Sequence, residues 1–450
     1  MNSKRWKLTA VLSAPLLLLA GAGAAQGQET TAAEATPPVA STTIKCEESS
    51  SGGTAPLYDG KSASYMYDAR FMPGPALTDK ELSDHTPQGV AWWGNWDGKG
   101  NNLLLVTTYG KGRAHIVGLD PAERNRTVGT VDIAPRNGTE SQTHAGAIAV
   151  NGTWAFVDGP KSDGWHTVRK YSLAALRKAM AAGDGSVSPS GADRKVYGAS
   201  FMTISGSHLY AGKFSDKHRD WMYSYTIGGD GSLTLDRKAD GKGLRWEVPQ
   251  WTQGVAVADG RFLFSTSSGR AKRSNLYITD KAETNLDKAS VRCFRAPSMA
   301  EGITTTPGGE AYLLFESGSY QYDGRTGKRA INVIDGAHRA KTSSLTSPPG
   351  GKIRLGTLHC VEQEDFFGND EIRIVVEDQK LGKTVQIRSG EKRKIDTTVQ
   401  FTGKVSVKLY ENDVEGDDYL GQNVFEPRTK EGVMEFTKDG AKYRLSYSVS

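Results

Sequence analysis

Three features of the 450-residue sequence predict an all-β fold, with a five-bladed β-propeller followed by a small β-sandwich. A glycine that opens an apolar strand recurs at intervals of about 50 residues. Each copy continues into short alternating strands separated by Gly and Asp turns, which is typical of propeller blades. A Ser- and Pro-rich stretch then precedes a second region of alternating strands, which has the size of one sandwich.

Residues 1–25 have the layout of a secretory signal peptide. Basic residues near the start are followed by an apolar run with Leu16–Leu19 at its centre and then by small residues. The apolar run is too short to span a membrane as a helix. We therefore expect a secreted, extracellular protein without a transmembrane anchor. Residues 26–55, rich in Thr, Ala, Ser and Glu, are expected to be a flexible N-terminal segment.

The repeat predicts a propeller over residues 56–340. Its key glycines are Gly89, Gly146, Gly198, Gly254 and Gly302. Five copies indicate five blades, and a sixth blade built from Ser64–Phe71 and Ile331–Ile334 is an alternative. Another alternative to the propeller is a large β-sandwich whose internal sequence similarity is accidental. The stretch Ser172–Ala182 has the apolar spacing of a helix, the only one in this region, and is interpreted as an insertion between blades.

Two columns of side chains are expected at the mouth of the propeller, where the first strands begin and the second strands end. The first column precedes the key glycines and consists of Gln88, Ala145, Tyr197, Gln253 and Glu301. The second follows the second strands and consists of Tyr109, Asp158, Lys213, Ser267 and Glu316. From these columns and their neighbours we predict a ligand site at Gln88, His144, Asp158, Gln253, Arg270, Glu301 and Glu316.

Amides, carboxylates and aromatic rings together suit a sugar, which presents many hydroxyls and apolar ring faces. Eight of the nine tryptophans lie in the propeller region. The structural alternative is that the tryptophans pack between blades and that the mouth residues bond one another. Arg270, Lys272 and Arg273 are either a site for an anionic polymer or a solvated loop.

An extracellular hydrolase of glycans or phosphoesters is the main alternative function. Asp158, Glu301, Glu316 and His144 are the candidate acids and bases, since glycoside hydrolysis needs two carboxyl groups at a set distance. The sequence contains no Gly-x-Ser-x-Gly, His-Glu-x-x-His or phosphate-binding Gly-Lys-Ser/Thr motif. The leading interpretation is therefore a non-enzymatic binding protein, and a cell-wall-associated structural protein is a third possibility.

Residues 353–450 are expected to form the β-sandwich, joined to the propeller by a linker over 341–352. The alternating strands are Ile372–Val376, Thr384–Ile387, Val405–Leu409 and Tyr443–Tyr447. Acidic residues cluster in two loops, at 362–371 and 411–421. Carboxylates crowded into a turn repel one another, and Ca²⁺, which takes 6–8 oxygen ligands, relieves that repulsion.

The two acidic loops resemble the calcium loops of C2-type domains. The matching motifs are Glu411-x-Asp413 with Asp418-Tyr419-Leu420-Gly421 in the third loop, and Asp365-x-x-Gly368 with Asp370 in the first. The family's Ser-Asp-Pro-Tyr is absent, and the two first-loop aspartates stand one residue closer together. The resemblance implies calcium ligands at Asp365, Asp370, Asp413 and Asp418, with Glu411 and Asp417 as further candidates. Two charged loops pinned by lysines, or a module that docks a protein partner, are the alternatives.

Three cysteines cannot all pair within one chain. A disulfide between Cys46 and Cys293 is predicted to tie the N-terminal segment to the propeller, and Cys360 is left free or pairs elsewhere.

The formal net charge of +5 includes the basic residues of the signal peptide, and residues 357–450 are acidic on balance. This distribution excludes a nucleic-acid binder driven by bulk charge. The architecture is also similar to propeller-bearing lectin subunits of secreted toxin assemblies. That likeness implies a targeting subunit whose partner is a cell-surface glycan or another surface polymer.

Overall fold

The computed structural model describes Cys46 and residues 57–135, 144–183, 185–289, 291–346, 351–363, 368–376, 379–381, 384–401, 405–412, 417–425 and 430–450. The predicted signal peptide and nearly all of the N-terminal segment lie outside these residues. So do the predicted calcium ligands Asp365 and Asp413. Within the described part of the chain, no helix is both long enough and apolar enough to cross a membrane.

Two short strands and two short helices precede the first blade: β1 (Asp59–Gly60), α1 (Tyr65–Arg70), β2 (Met72–Ala76) and α2 (Asp79–Asp84). Blade one contains β3 (Thr86–Trp93), β4 (Leu103–Gly110), β5 (Arg113–Leu119) and β6 (Thr127–Ile133). Blade two contains β7 (Ile148–Val150), β8 (Trp154–Ser162), β9 (Trp165–Ser172) and β11 (Arg194–Val196). Between β9 and β11 the chain forms α3 (Leu173–Ala182) and β10 (Ser186–Val187), and β10 joins the sheet of blade one parallel to β6.

The remaining blades follow the same antiparallel order. Blade three contains β12 (Phe201–Ser205), β13 (His208–Gly212), β14 (Asp220–Ile227), β15 (Leu233–Leu235) and β16 (Arg245–Val248). Blade four contains β17 (Thr252–Ala258), β18 (Arg261–Thr266), β19 (Ser274–Asp280) and β20 (Val291–Ala296). Blade five contains β21 (Ala300–Thr305), β22 (Glu310–Phe315) and, after the short β23 (Asn332–Val333), β24 (Gly336–Lys341).

The ring closes through the N-terminal part of the chain. The order of strands in blade five is β2-β24-β22-β21, so a strand from before blade one forms the outer edge of the last blade. The first strands β3, β7, β12, β17 and β21 neighbour one another in a closed circuit. The prediction of a five-bladed propeller is therefore confirmed. The sixth-blade alternative is wrong, because its residues form α1 and the two-stranded β1–β23 sheet.

Three of the repeated glycines, Gly89, Gly254 and Gly302, are required by the packing of the inner strands. A Cβ atom at Gly89 would lie 2.8 Å from the Cα of Ala147 in blade two, and one at Gly302 would lie 2.6 Å from the backbone nitrogen of Val90 in blade one. Adjacent first strands thus touch backbone to backbone, and only glycine leaves room for that approach.

The predicted helix at Ser172–Ala182 is confirmed as α3, with Ser172 as its N-cap. Leu176 and Met180 on its buried face pack into a core shared with strands of blades one and two. The expectation of a single helix was wrong, since α1, α2 and α4 (Thr342–Thr346) are also helical. These helices are only five or six residues long, too short for an apolar period to be recognised.

Cys46 and Cys293 form a disulfide with their Cα atoms 5.3 Å apart. Cys293 lies on β20 of blade four, and Cys46 is buried among apolar residues of blades three and four. Cys360 is a free, buried thiol in the C-terminal region.

The C-terminal region consists of two antiparallel sheets. In chain order its strands are β25 (Gly351–Glu362), β26 (Asp370–Val376), β27 (Gln379–Lys380), β28 (Val385–Ile387), β29 (Lys392–Phe401), β30 (Val405–Asn412), β31 (Asp417–Phe425), β32 (Lys430–Phe436) and β33 (Lys442–Val449). One sheet has the order β29-β25-β33-β32, and the other has the order β27-β26-β30-β31 with β28 on β26. Both sheets contribute to one apolar core that includes Leu355, Ile374 and Leu409, so the region is a β-sandwich that starts at Gly351.

Candidate functional site at the propeller mouth

β-Bulges at the start of three inner strands position the side chains of the first column. Pairing shifts register between Thr252 and Gly254 in blade four and between Ala300 and Ile303 in blade five, and the start of β3 in blade one shifts in the same way. Trp251 enters its bulge with a φ of 62°. Bulges of this kind re-aim a side chain, and here they give Gln88, Gln253 and Glu301 equivalent positions.

A continuous hydrogen-bonded chain crosses the centre of the mouth. The Gln88 Nε2 donates to Glu316 Oε2 at 3.0 Å, and the Gln253 Nε2 donates to Glu301 Oε1 at 3.1 Å. The carboxyl groups of Glu301 and Glu316 are hydrogen-bonded to each other. The chain therefore connects blades one, five and four, with a pair of carboxyl groups in direct contact at its middle.

The carboxyl pair holds a proton at neutral pH. Burial raises the pKa of Glu301 well above its usual value, and the charge of Glu316 raises it further. Burial raises the pKa of Glu316 to about 7, although hydrogen bonds from Glu301 and Gln88 and the charges of His144 and Arg270 oppose the shift. Ionising two buried carboxyl groups in contact would place two negative charges side by side, which is energetically unfavourable. Glu301 therefore stays protonated and donates a hydrogen bond to Glu316.

One side of the mouth is formed by His144 and its neighbours. The His144 Nδ1 lies 4.0 Å from Asp158 Oδ2, and its ring lies 5.1 Å from that of Tyr109. Asp158, on β8, accepts the backbone N–H of Ala147 at 3.0 Å, which fixes its carboxylate at the start of the first strand of blade two.

Another side of the mouth is formed by Arg270 and Tyr322. The guanidinium of Arg270 lies over the ring of Tyr322, 5.0 Å from its centroid, and also donates to the backbone carbonyl of Lys328. The hydroxyl of Tyr322 hydrogen-bonds that of Tyr109. Tyr322 thus links the two sides of the mouth.

The seven residues predicted for the ligand site lie in one connected cluster. Gln88, Gln253, Glu301 and Glu316 form the central chain, and the charges of His144 and Arg270 act on Glu316. The prediction missed Tyr322, although an aromatic residue in the same loop as Glu316 was a usable signal. Two further aromatic rings meet between blades two and three, where Trp165, at the start of β9, contacts Tyr197 edge to face at 5.3 Å.

The contact between the two carboxyl groups limits what the site can do chemically. Paired carboxyl groups of glycosidases stand about 5–5.5 Å apart in retaining enzymes and about 6.5–9.5 Å apart in inverting ones, because a sugar or a water lies between them. Glu301 and Glu316 are hydrogen-bonded directly, so neither fits between them. This pair therefore does not have the geometry of a glycosidase acid and base.

The described calcium candidates already have protein partners. Asp370 is fully buried and accepts a hydrogen bond from the hydroxyl of Tyr443, and Asp417 pairs with the guanidinium of Arg373. Glu411 accepts a hydrogen bond at 2.9 Å from the backbone N–H of Glu371, which lies on the adjacent strand of the same sheet.

Asp418, beside Asp417 on β31, is half-buried. Asp365 and Asp413 lie outside the described residues. Among the described residues, no three His, Cys, Asp or Glu side chains are grouped so that they hold a metal ion. Calcium binding stays a prediction.

No protein-family model matches the sequence, and no curated protein matches it significantly. Solved structures with a similar fold include a PQQ-bound aldose sugar dehydrogenase from Streptomyces coelicolor, with 12% identity over 58% of this chain and 96% of that one and a TM-score of 0.35. A GH43_1 enzyme from Xanthomonas citri has 9% identity over 62% and 90%, with a TM-score of 0.34. The WD40 domain of Toxoplasma gondii coronin has 10% identity over 90% and 88%, with a TM-score of 0.25.

Similarity at this level transfers no activity or ligand to this chain. Its own strand order defines its class, a five-bladed β-propeller followed by a β-sandwich. A proton-sharing carboxyl pair lies at the centre of the propeller mouth.

The raised pKa of Glu316 makes the stability of the propeller depend on pH. Between its usual value of 4.5 and its folded value of about 7, the folded protein keeps a proton that the unfolded chain has lost. The contribution of Glu316 to stability therefore falls as pH rises through this window, by up to about 3 kcal/mol. Urea unfolding at pH 4.5 to 7.5 is expected to show a smaller decline for Glu316→Gln than for the wild type.

Glu310 provides the matched control, because it is a half-buried carboxylate at the far end of the same strand. The decline should shrink more in Glu316→Gln than in Glu310→Gln. Equal slopes for Glu316→Gln and the wild type would contradict a raised pKa of Glu316.

Proposed function

We propose that the protein is a secreted binding protein whose propeller mouth recognises a glycan or a similar hydroxyl-rich surface polymer. The direct contact between the Glu301 and Glu316 carboxyl groups carries this proposal over the hydrolase alternative. A pair that shares one proton presents both a donor and acceptors without two adjacent negative charges. Such a surface suits hydroxyl groups, which donate and accept hydrogen bonds.

The surroundings of the pair support the same ligand class. Gln88 and Gln253 supply amides on both sides of the pair. Half-buried rings of Tyr109 and Tyr322 offer flat apolar faces of the kind that stack on sugar rings. Arg270 offsets the charge of Glu316, so the mouth favours neutral or weakly acidic polymers.

Secretion is inferred from the signal-peptide layout of residues 1–25 and agrees with the disulfide between Cys46 and Cys293. In this proposal the sandwich attaches the propeller to a larger secreted assembly, or it binds calcium through the loops around Asp365 and Asp413.

A glycan array probed with the full mature chain, with and without EDTA, tests the proposal. We expect binding by the wild type, and about a tenfold loss of affinity for Glu316→Ala and for Tyr322→Ala, since each removes a group at the centre of the mouth. Glu310→Ala, at the other end of β22, should bind as the wild type does. A loss with EDTA would assign calcium a role in binding.

The same samples distinguish the alternatives. Release of sugar or phosphate by the wild type, abolished in Glu316→Gln, would replace the binding proposal by the hydrolase. If both mouth variants bind the glycan as the wild type does, the binding site lies outside the mouth.

A further inference from the structure

A second polar cluster lies on blade one, separate from the mouth cluster. His115 on β5 contacts His85, which follows α2, with ring centroids 4.1 Å apart. Thr108 on β4 and Asp132 on β6 stand directly opposite His115 in the sheet, so the three side chains share one face. His115 is only 8% exposed, which makes this a buried cluster rather than a surface one.

Three polar atoms of this cluster are buried without a hydrogen-bond partner among the described residues. They are the Nδ1 of His85, the Nδ1 of His115 and the Oγ1 of Thr108. Leaving such an atom unpaired costs about 1–3 kcal/mol, so native structures pair nearly all of them. A hydrogen bond between the two imidazoles would satisfy both nitrogens, but it is not formed. Three unpaired atoms on adjacent elements indicate that a further species binds between them.

The state of the imidazoles identifies that species. Asp132 Oδ1 lies 3.0 Å from the Nε2 of His115 and so takes the Nε2–H, which leaves the Nδ1 with a free lone pair. A carboxylate behind a histidine is the usual support of a metal-binding imidazole.

The surrounding charges do not exclude a cation. Lys111 pairs with Asp84 at 2.5 Å and Arg113 pairs with Asp132 at 3.4 Å, so the four charges around the two rings balance.

The backbone holds His85 against the β4–β5 hairpin by a close approach at Gly110. A Cβ atom at Gly110 would lie 1.9 Å from the carbonyl oxygen of Asp84 and 3.0 Å from the Cα of His85. The β4–β5 hairpin therefore packs against the end of α2 only because residue 110 has no side chain. This contact brings His85 to His115 independently of any bound ion.

We propose that His85 and His115 bind a divalent transition-metal ion of the Zn²⁺, Cu²⁺ and Ni²⁺ class through their Nδ1 atoms. Imidazole nitrogen is a preferred ligand of these ions. Water completes the coordination, and the Thr108 hydroxyl accepts from or donates to such a water. The described residues supply two imidazoles and no third His, Cys, Asp or Glu ligand, so the ion is exchangeable rather than structural.

Isothermal titration calorimetry on the full mature chain, purified without a histidine tag and stripped with EDTA, tests this site. ZnCl₂, CuCl₂ and NiCl₂ are titrated separately. We expect one ion per chain for at least one metal, and a loss of affinity of at least about tenfold in His85→Ala and in His115→Ala. Asp132→Asn should weaken binding by about 10–100-fold without removing a ligand, because it no longer orients His115.

His208 is the matched control, since its Nδ1 lies 2.8 Å from Asp236 and it lies on β13 of blade three, outside the cluster on blade one. His208→Ala should bind metal as the wild type does, and the metal should raise the Tm of both proteins but not that of the double variant His85→Ala/His115→Ala. No binding of any of the three metals by the wild type, or binding that survives in the double variant, would overturn the proposal. If a single variant is poorly folded, His85→Gln, at the more exposed of the two positions, repeats the measurement.

Discussion

Gly302→Ala is expected to lower the free energy of unfolding by about 3 kcal/mol, at the upper end of the range for overpacked positions. The new Cβ atom would lie 2.6 Å from the nitrogen of Val90, 3.0 Å from the carbonyl oxygen of Gln88 and 3.1 Å from the carbonyl carbon of Gly89. All three atoms belong to the backbone of β3 and cannot rotate away. The strain falls between blades five and one, where the ring closes.

Urea denaturation followed by tryptophan fluorescence measures this loss. Gly152→Ala is the control, because a Cβ atom at Gly152 meets nothing within 4 Å and its φ is not in the left-handed region. The control should retain wild-type stability. A Gly302→Ala protein as stable as the wild type would mean that the inner strands are not packed backbone to backbone.

The blade repeat was predictable because a glycine recurs at the start of each blade. In three of the five blades, at Gly89, Gly254 and Gly302, this glycine lies against the backbone of a neighbouring inner strand, so the contact leaves a periodic trace in the sequence. The closing strand β2 leaves no such trace. Its segment Met-Pro-Gly-Pro-Ala contains two prolines, which argue against a strand unless it lies at an edge, and β2 is the outer strand of blade five.

The residues of the mouth were predictable, but their bonding was not. Counting from the key glycines puts Glu301 before the first strand of its blade and Glu316 after the second, so both are expected at the same end. Whether their carboxyl groups stand apart or in contact depends on blade number and strand tilt, which the sequence does not encode locally. Tyr322 was missed because its loop has no counterpart in the other blades.

In the sandwich, the position of a strand boundary determines whether an acidic residue is interpreted as part of a loop or of a strand. The predicted strand began at Ile372, which left Asp370 in a loop as a calcium candidate. Strand β26 begins at Asp370, and its buried residues alternate from there through Ile372 and Ile374. The Asp370 carboxylate therefore points into the sandwich and meets the hydroxyl of Tyr443.

The N-terminal part of the chain is held to the propeller twice. Strand β2 pairs with β24 of blade five, and Cys46 is bonded to Cys293 of blade four. Both links join residues that precede blade one to the last two blades, so both oppose the opening of the ring. The noncovalent link is local to one sheet, whereas the disulfide spans a sequence separation of 247 residues.

Cys46→Ser is expected to lower the free energy of unfolding by about 5.5 kcal/mol, the chain-entropy value for a loop closed over 247 residues. The loss arises mainly because the unfolded chain is no longer cross-linked. Urea unfolding is measured with and without dithiothreitol. Reductant should bring the wild type down to the stability of Cys46→Ser and leave the variant unchanged, since its remaining thiols have no bond to lose. Two results would show that the disulfide does not hold the ring closed. One is a wild-type unfolding curve in urea that dithiothreitol does not change, and the other is a Cys46→Ser variant as stable as the oxidised wild type.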